Sequence, residues 1–375
     1  MSEGVHDLQN ESQNESEADA LPLAGDFPHD PNVMGRFPEG TKILSTSRSG
    51  TSTWTALAST ACFTVELPDG TQEQYFLKCA TEDGGKIMME GEFNAMSEIY
   101  KTMPLFVPKP HSWGKYRVGH PNTYFFLSQF INMEDKAPEP DQLCRKLAQL
   151  HKKSVSPTGK FGFHATTWQG HTPQAVAWES SWTVFFTNLL NHVTELDFKT
   201  NGYWLELDIL EKRIFSDVIL ILIGNLERDG RTVKPCLIHG DLWEGNTGTS
   251  SDTGDIYIFD SAAFYAHNEM EIGDWRCTYN KINNPSYTET YKRHYEEISE
   301  PQEEWDDRNR MYSIYYNVIY SVNHKGEGMA VRQTAYDDMY YLIDKYAPFA
   351  EGEGPSKLNE SERAVLSEER DHTAL

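Results

Sequence analysis

The chain is expected to be an α+β protein of two lobes, a β-rich first lobe and a mostly helical second. Three features predict this. Short apolar runs punctuated by turn residues fill the stretch up to about residue 132. A polar, proline-containing break, Met133 to Pro140, follows. Beyond it the apolar residues recur mostly with helical spacing. The expected boundaries are an acidic tail over 1–34, a first lobe over 35–132, a second lobe over 133–349 and a second acidic tail over 350–375.

The elements follow in order. Residues 1–31 hold eight acids and no Lys or Arg, and residues 351–375 hold seven acids and three bases. Both ends are Ser- and Glu-rich and poor in aromatics, as solvated tails are. Ser45 to Ser52 is small and polar, and Cys62 to Leu67 reads as a strand. Pro68-Asp69-Gly70-Thr71 has turn chemistry, and Gln74 to Cys79 is the returning strand. Met89, Phe93, Met96 and Tyr100 form one apolar stripe at helical spacing, so a helix spans about Ile87 to Tyr100. Tyr124 to Ile131 is an apolar strand. From Asp141 the chain turns helical, with Leu143, Leu147 and Leu150 on one face. One short β segment, near Cys236 to Asp260, interrupts the helical remainder.

Composition excludes several classes. Fifty-seven acidic against 33 basic side chains give a formal charge of -24, which argues against a nucleic-acid binder. The longest wholly aliphatic run, Val218 to Ile223, is far short of the roughly 20 residues a spanning helix needs. Met1 to Asp30 resembles neither a secretory nor a mitochondrial leader. Cys62, Cys79, Cys144, Cys236 and Cys277 are odd in number and lack CxxC spacing, as expected of reduced thiols in the cytoplasm.

The chemistry concentrates in Leu237-Ile238-His239-Gly240-Asp241-Leu242-Trp243-Glu244-Gly245-Asn246, after an apolar strand. A second strand, Ile256 to Phe259, ends at Asp260. An Asp, an Asn five residues later and a further Asp closing a nearby strand is the spacing of the protein-kinase catalytic loop. Asp241 at the start of a tight loop can accept a proton from a substrate hydroxyl. The side-chain oxygens of Asn246 and Asp260 suit a hard cation such as Mg²⁺. Such a site also needs a cation on the nucleotide phosphates. Lys78 ends an apolar strand, where a charge is costly unless paired, and Glu92 on the next helix is a better-placed partner than Glu90. Ser45 to Ser52, with Ser49 and Gly50, is either a phosphate-cradling loop or an ordinary connection. Trp243 offers a flat face to a sugar or props the loop. His239 is better suited to holding loop backbone than to moving protons. His267 and Glu269 are either substrate contacts or structural polar groups.

These residues resemble a known family. His239 to Asn246 is similar to the HGDLWxGN loop of the fructosamine kinases, or ketosamine 3-kinases. Ile258 to Glu269 resembles their IFDPAxFYGHxE segment. Phe161-Gly162-Phe163-His164 with Thr172-Pro173-Gln174 resembles their FGFH…TPQ segment, and Leu147 to His151 their LAxLH helix. The match runs over roughly residues 40–300 and has the look of a fungal member. The resemblance implies a two-lobed, protein-kinase-like fold, ATP with Mg²⁺, and phosphorylation of the sugar 3-hydroxyl of a ketosamine on glycated lysine, with glycated protein as an expected partner. It implies Asp241 as base and Asn246 with Asp260 as metal ligands. Lys78 and Glu92 would hold the phosphates, and Ser128, Gln129 and Phe130 would be the hinge against adenine. Trp243 and Glu244 would face the acceptor. The chain departs from the family in lacking a Gly-rich loop with an adjacent Cys, and in Ser261, Ala266 and Glu244. Two readings stand beside this one: a kinase for another amine-bearing acceptor, aminoglycoside- or choline-like, and a catalytically silent kinase-like binding protein.

Overall fold

The computed structural model describes residues 29–49, 58–118, 120–134, 136–326 and 328–355. They divide into two units. One runs to Met89 and resumes over His111–Phe130, and the other takes Glu90–Pro110 and everything from Ile131.

The first unit is a five-stranded sheet. Its strands are β1 (Lys42–Ser49), β2 (Ala58–Glu66), β3 (Gln72–Thr81), β4 (Pro110–Lys115) and β5 (Thr123–Gln129), in the order β1-β2-β3-β5-β4. The turn between β2 and β3 is the one its residues predict. Leu67 N–H donates to Thr71 O, Gly70 takes φ 84°, and Asp69 accepts from Thr71 N–H. Alternate side chains of these strands enter one core of Val33, Phe63, Val65, Tyr75, Leu77, Cys79, Tyr116, Phe125 and Leu127.

Two sequence expectations are corrected here. The polar stretch from Ser45 is strand as far as Ser49, pairing with Thr64 back to Thr60 after a bulge beyond Ile43. Its outward side chains carry no apolar alternation because an edge strand needs only its backbone to pair. Gly50 lies outside the described residues. At the N-terminus, residues 30–34 pack against the core of the sheet rather than belonging to a tail. Asp30 caps α1 (Pro31–Met34) by accepting from Asn32 N–H, and accepts again from Arg117 and Val118 N–H, while Val33 is fully buried.

Helix α2 (Glu82–Thr102) continues from β3 and belongs to the first unit up to Met89 and to the second from Glu90. The second unit is helical around one nearly buried element. α3 (Pro140–Lys153) starts where Glu139 accepts from Asp141 and Gln142 N–H. α4 (Trp182–Asn201) is capped by Ser181 and by Glu227, which accepts from Trp182 and Thr183 N–H. α5 (Leu205–Arg213) passes through a π-helical turn, Ile214–Val218, into α6 (Ile219–Leu222), so the aliphatic run lies in a short core helix. α7 (Asn268–Glu271) and α8 (Pro285–Tyr295) follow. α9 (Trp305–Asn323) lies between α4 and α10 (Gly328–Tyr346), packed on both. Its burial is hidden in the sequence by polar residues. Arg308, Asn309, Ser313, Asn317 and Ser321 are all inside, and Arg308, Asn309, Ser313 and Ser321 are hydrogen-bonded there.

The β segment of this unit is more elaborate than one interruption. β6 (Met133–Glu134), β10 (Thr247–Ser250) and β11 (Ile256–Ile258) make one sheet, in the order β11-β10-β6. β7 (Trp168–Gln169) and β8 (Thr172–Pro173) make a small hairpin. β9 (Cys236–Ile238) pairs with β12 (Phe264–Ala266). Hence β10–β11 is nested inside the β9–β12 pair.

Candidate active site

The nesting gathers residues that are far apart in sequence. Asp241 follows β9, Asn246 immediately precedes β10, and Asp260 lies two residues past the end of β11. Thr247 pairs with Ile258, and Phe259 N–H donates to Asn246 O at 3.0 Å. Asn246 and Asp260 therefore leave the same end of one hairpin. Asp260 turns off it in the left-handed region, at φ 58°.

The loop between β9 and β10 is held by buried side chains. Glu271, fully buried on α7, accepts from His239 N–H at 2.5 Å and Gly240 N–H at 3.0 Å. Gly240 has φ 81°, and a Cβ there would stand 2.5 Å from Ala262 O, so only glycine fits. His239 Nδ1 accepts from Asp241 N–H and its Nε2 donates to Phe259 O at 2.9 Å. Burial keeps that imidazole neutral, its pKa lowered below the usual value. His239 thus ties the loop to the β11 end, with both ring nitrogens committed to backbone. Ser261 Oγ donates to His239 O, and Trp275 Nε1 donates to Leu242 O. From behind, Gln174 donates to Ala262 O and Thr167 Oγ1 while accepting from Tyr315.

The Asp241 carboxylate is gripped at both oxygens. Oδ1 accepts from Gln169 Nε2 at 3.0 Å, and Oδ2 from Asn246 Nδ2 at 3.0 Å. Desolvation, and then the charge of Asp260, push its pKa up to about 7. A carboxyl poised there suits general-base work near neutral pH. Asn246 also donates to Asp241 O, so its amide nitrogen is committed and Oδ1 is the atom it can offer a cation. With Asp260 the donor set is all oxygen, which fits a hard cation. Among the described residues no group of three or more His, Cys, Asp or Glu is arranged to hold a metal by itself. Asp274 adds a further acid. It is buried, its Oδ2 has no hydrogen-bond partner among the described residues, and burial followed by the nearby Asp241 raises its pKa well above the ordinary carboxylate range.

The other expected site residues fall as follows. Trp243 is half-buried, and its ring covers Gly245 so closely that a Cβ there would meet it at 2.2 Å. Glu244 is half-buried and accepts from Lys281 N–H at 2.8 Å. His267 is enclosed, with Nδ1 on Tyr312 OH and Nε2 on Ser299 Oγ. Glu269 is enclosed with Arg308, which donates to it at 2.8 and 3.0 Å. Both are inside the protein with their polar side-chain atoms engaged there, as structural groups are. In the first unit, Lys78 lies on β3 opposite Phe126 and is 7% exposed. Ser128 and Gln129 close β5, and Phe130 N–H donates to Gln74 O at 3.1 Å. Ser49 ends β1. Glu92, on α2, is 8% exposed in the second unit.

Sequence reasoning missed Gln169, Glu271 and Asp274. Gln169 stands 72 residues before its partner in the chain, in the stretch between the FGFH and TPQ pieces, and nothing in the sequence links it to Asp241. Glu271 and Asp274 do lie in the segment that continues past Glu269, and buried acids among Met270, Ile272 and Trp275 were the available signal.

Comparison with known proteins accords with this geometry. The family model for fructosamine kinase matches residues 56–334. A protein-ribulosamine 3-kinase, chloroplastic, of Oryza sativa subsp. japonica is 29% identical over 310 residues, 80% of this chain and 81% of the relative. Its namesake in Oryza sativa subsp. indica is 29% identical over 238 residues, and there the match spans 62% of this chain and 63% of the relative. Among solved structures, a candidate fructosamine-3-kinase from Haemophilus somnus 129PT superposes with a TM-score of 0.60 at 18% identity, covering 80% of this chain and 92% of that one, which shows the shared fold.

Proposed function

The chain belongs to the fructosamine kinase family, and from that premise we propose that it transfers the γ-phosphoryl group of ATP to the sugar 3-hydroxyl of a ketosamine, such as ribulosamine or fructosamine on glycated lysine. The observation that carries the reading is the doubly gripped Asp241 carboxyl, placed between two amides and raised to about 7. In phosphoryl transfer the protein does little covalent work, and the rate comes from positioning and charge stabilisation. Asp241 would orient the acceptor hydroxyl and take its proton as the oxygen attacks phosphorus. Asn246 Oδ1 and the Asp260 carboxylate would hold Mg²⁺, which supplies charge neutralisation on the phosphates when bound. Lys78 would take the phosphates, with Glu92 keeping the family's supporting role. Ser128 to Phe130 would meet adenine through β5 backbone. Ser49 and Gly50 remain with the phosphate loop in this assignment.

On the acceptor side we place Trp243 and Glu244. Glu244 keeps one carboxylate oxygen beyond its bond to Lys281 N–H, enough to attract the secondary amine of a glycated lysine. The strongly acidic surface favours cationic acceptors, including glycated protein, and disfavours nucleic acid. Five unpaired cysteines suit a reducing compartment such as the cytoplasm. Among the described residues no helix is long and apolar enough to cross a membrane.

The test is ATP consumption with ribulosyl-, fructosyl- and psicosyl-lysine against aminoglycosides and choline, in the wild type and in Asp241→Asn. Turnover on a ketosamine should fall by two to four decades in the variant, about the contribution of a general base, with ATP binding retained. Turnover restricted to aminoglycosides or choline, or near-normal turnover in the variant, would sink the assignment.

A further inference from the structure

We propose that Gln169 is a positioning residue for Asp241, and that Asn323 at the end of α9 sets the position of Gln169. This rests on the kinase reading of Asp241 given above.

Of the two amides on the Asp241 carboxylate, Asn246 is also assigned to the metal. Gln169 has no second duty. Its Nε2 donates to Asp241 Oδ1 at 3.0 Å, while its Oε1 is buried with no hydrogen-bond partner among the described residues. The residue is 7% exposed. An enclosed amide oxygen without a donor is destabilising, and an apolar side chain of the same size would remove that cost. What a glutamine alone brings to this position is the N–H aimed at Asp241. Two amides on two oxygens fix the plane of the carboxylate, so the lone pairs left for the acceptor hydroxyl point in one direction.

Gln169 is held through its backbone. The β7–β8 hairpin has only two residues between its strands, and Asn323 grips all of it. Asn323 Nδ2 donates to Gln169 O at 3.0 Å, and its Oδ1 accepts from His171 N–H at 3.0 Å and Thr172 Oγ1 at 2.8 Å. Gly170, at φ 58°, lets that side chain sit against the turn, since a Cβ there would stand 2.8 Å from Asn323 Nδ2. The C-terminal end of α9 therefore reaches the carboxylate through a hairpin and one side chain.

The experiment is a double-mutant cycle in the full-length protein, with Gln169→Leu and Asn323→Ala made in wild-type and Asp241→Asn backgrounds. Gln169→Leu should lower kcat on a ketosamine by about tenfold to a hundredfold, the scale expected of a displaced catalytic group, with KM for ATP and acceptor within twofold. Its melting temperature should change little, because loss of the bond to Asp241 Oδ1 offsets removal of the unpartnered oxygen. In the Asp241→Asn background the same substitution should change residual turnover by less than twofold. Asn323→Ala should reproduce the kcat loss in part and add little to Gln169→Leu. Equal losses in both backgrounds, a raised acceptor KM at unchanged kcat, or a kcat loss tracking a lowered melting temperature would each overturn the proposal. If the wild type uses no ketosamine, the functional reading fails by itself, and the same cycle read on ATP hydrolysis, with water as acceptor, still decides the role of Gln169.

Discussion

At the scale of single residues, protonation of Asp241 makes the sharpest prediction. Its carboxyl is raised from the ordinary value to about 7 by desolvation and the Asp260 charge. The base-competent, ionised form is therefore the minority below that pH. kcat/KM should rise about tenfold per pH unit on the acid side and level off above about 7. A cation beside Asp260 offsets the charge that raises it, so the corresponding limb of kcat should lie at lower pH. A flat profile between pH 5.5 and 7.5 would contradict this. The stability consequence has the opposite sign. The folded chain holds this proton at pH values where the unfolded chain has lost it, so the Asp241 contribution to stability declines as pH rises from about 4 to 7. The single residues that announce chemistry were legible in the sequence because Asp, Asn and His occur there at a spacing with one use. Gln169 was not, because a glutamine carries meaning only through what the fold sets beside it.

At the scale of elements, two carboxylates read differently once folded. Glu269 follows Asp260 closely in sequence, yet on α7 its side chain enters the core and meets Arg308 from α9. Glu269→Ala would strand a buried guanidinium, so stability should fall by roughly 3–5 kcal/mol while KM for the acceptor, in protein that remains folded, stays within twofold. Chemical denaturation together with steady-state kinetics separates the two readings, and a raised KM at full stability would return Glu269 to the substrate site. Asp30 is the second case. One carboxylate accepts from the backbone of Asn32, Arg117 and Val118. Asp30→Ala should cost roughly 2–4 kcal/mol, seen as a lower denaturation midpoint, and a change under 0.5 kcal/mol would show that water replaces it freely. Strands β2, β3 and β5 and helices α2 and α3 were legible from alternation, turn residues and apolar stripes. Strand β1 was not, being an edge of polar residues, and α9 was not, because its buried face is built from tyrosines and hydrogen-bonded polar groups.

At the scale of the whole molecule, the proposed metal site would depend on a second ligand. Asn246 and Asp260 offer two side-chain donors, and six or more oxygens are needed for a hard cation. Mg²⁺ should bind weakly to the protein alone, in the millimolar range or worse, and at least tenfold more tightly in the presence of a non-hydrolysable ATP analogue. Calorimetry with and without the analogue checks this, and tight binding to the protein alone would point to ligands beyond these two. The nesting of β10–β11 within β9–β12 has a consequence for how such chains can vary. Asn246 and Asp260 are brought together by strand register at one end of the hairpin, while the turn at the other end, residues 251–254, is exposed. The number of residues between the two can therefore drift, by insertion or loss in that turn, without altering their separation in space. The same turn is a natural point for grafting a tag or a fluorescent reporter, whereas one residue removed from β10 would face its alternate side chains the wrong way and dismantle the site.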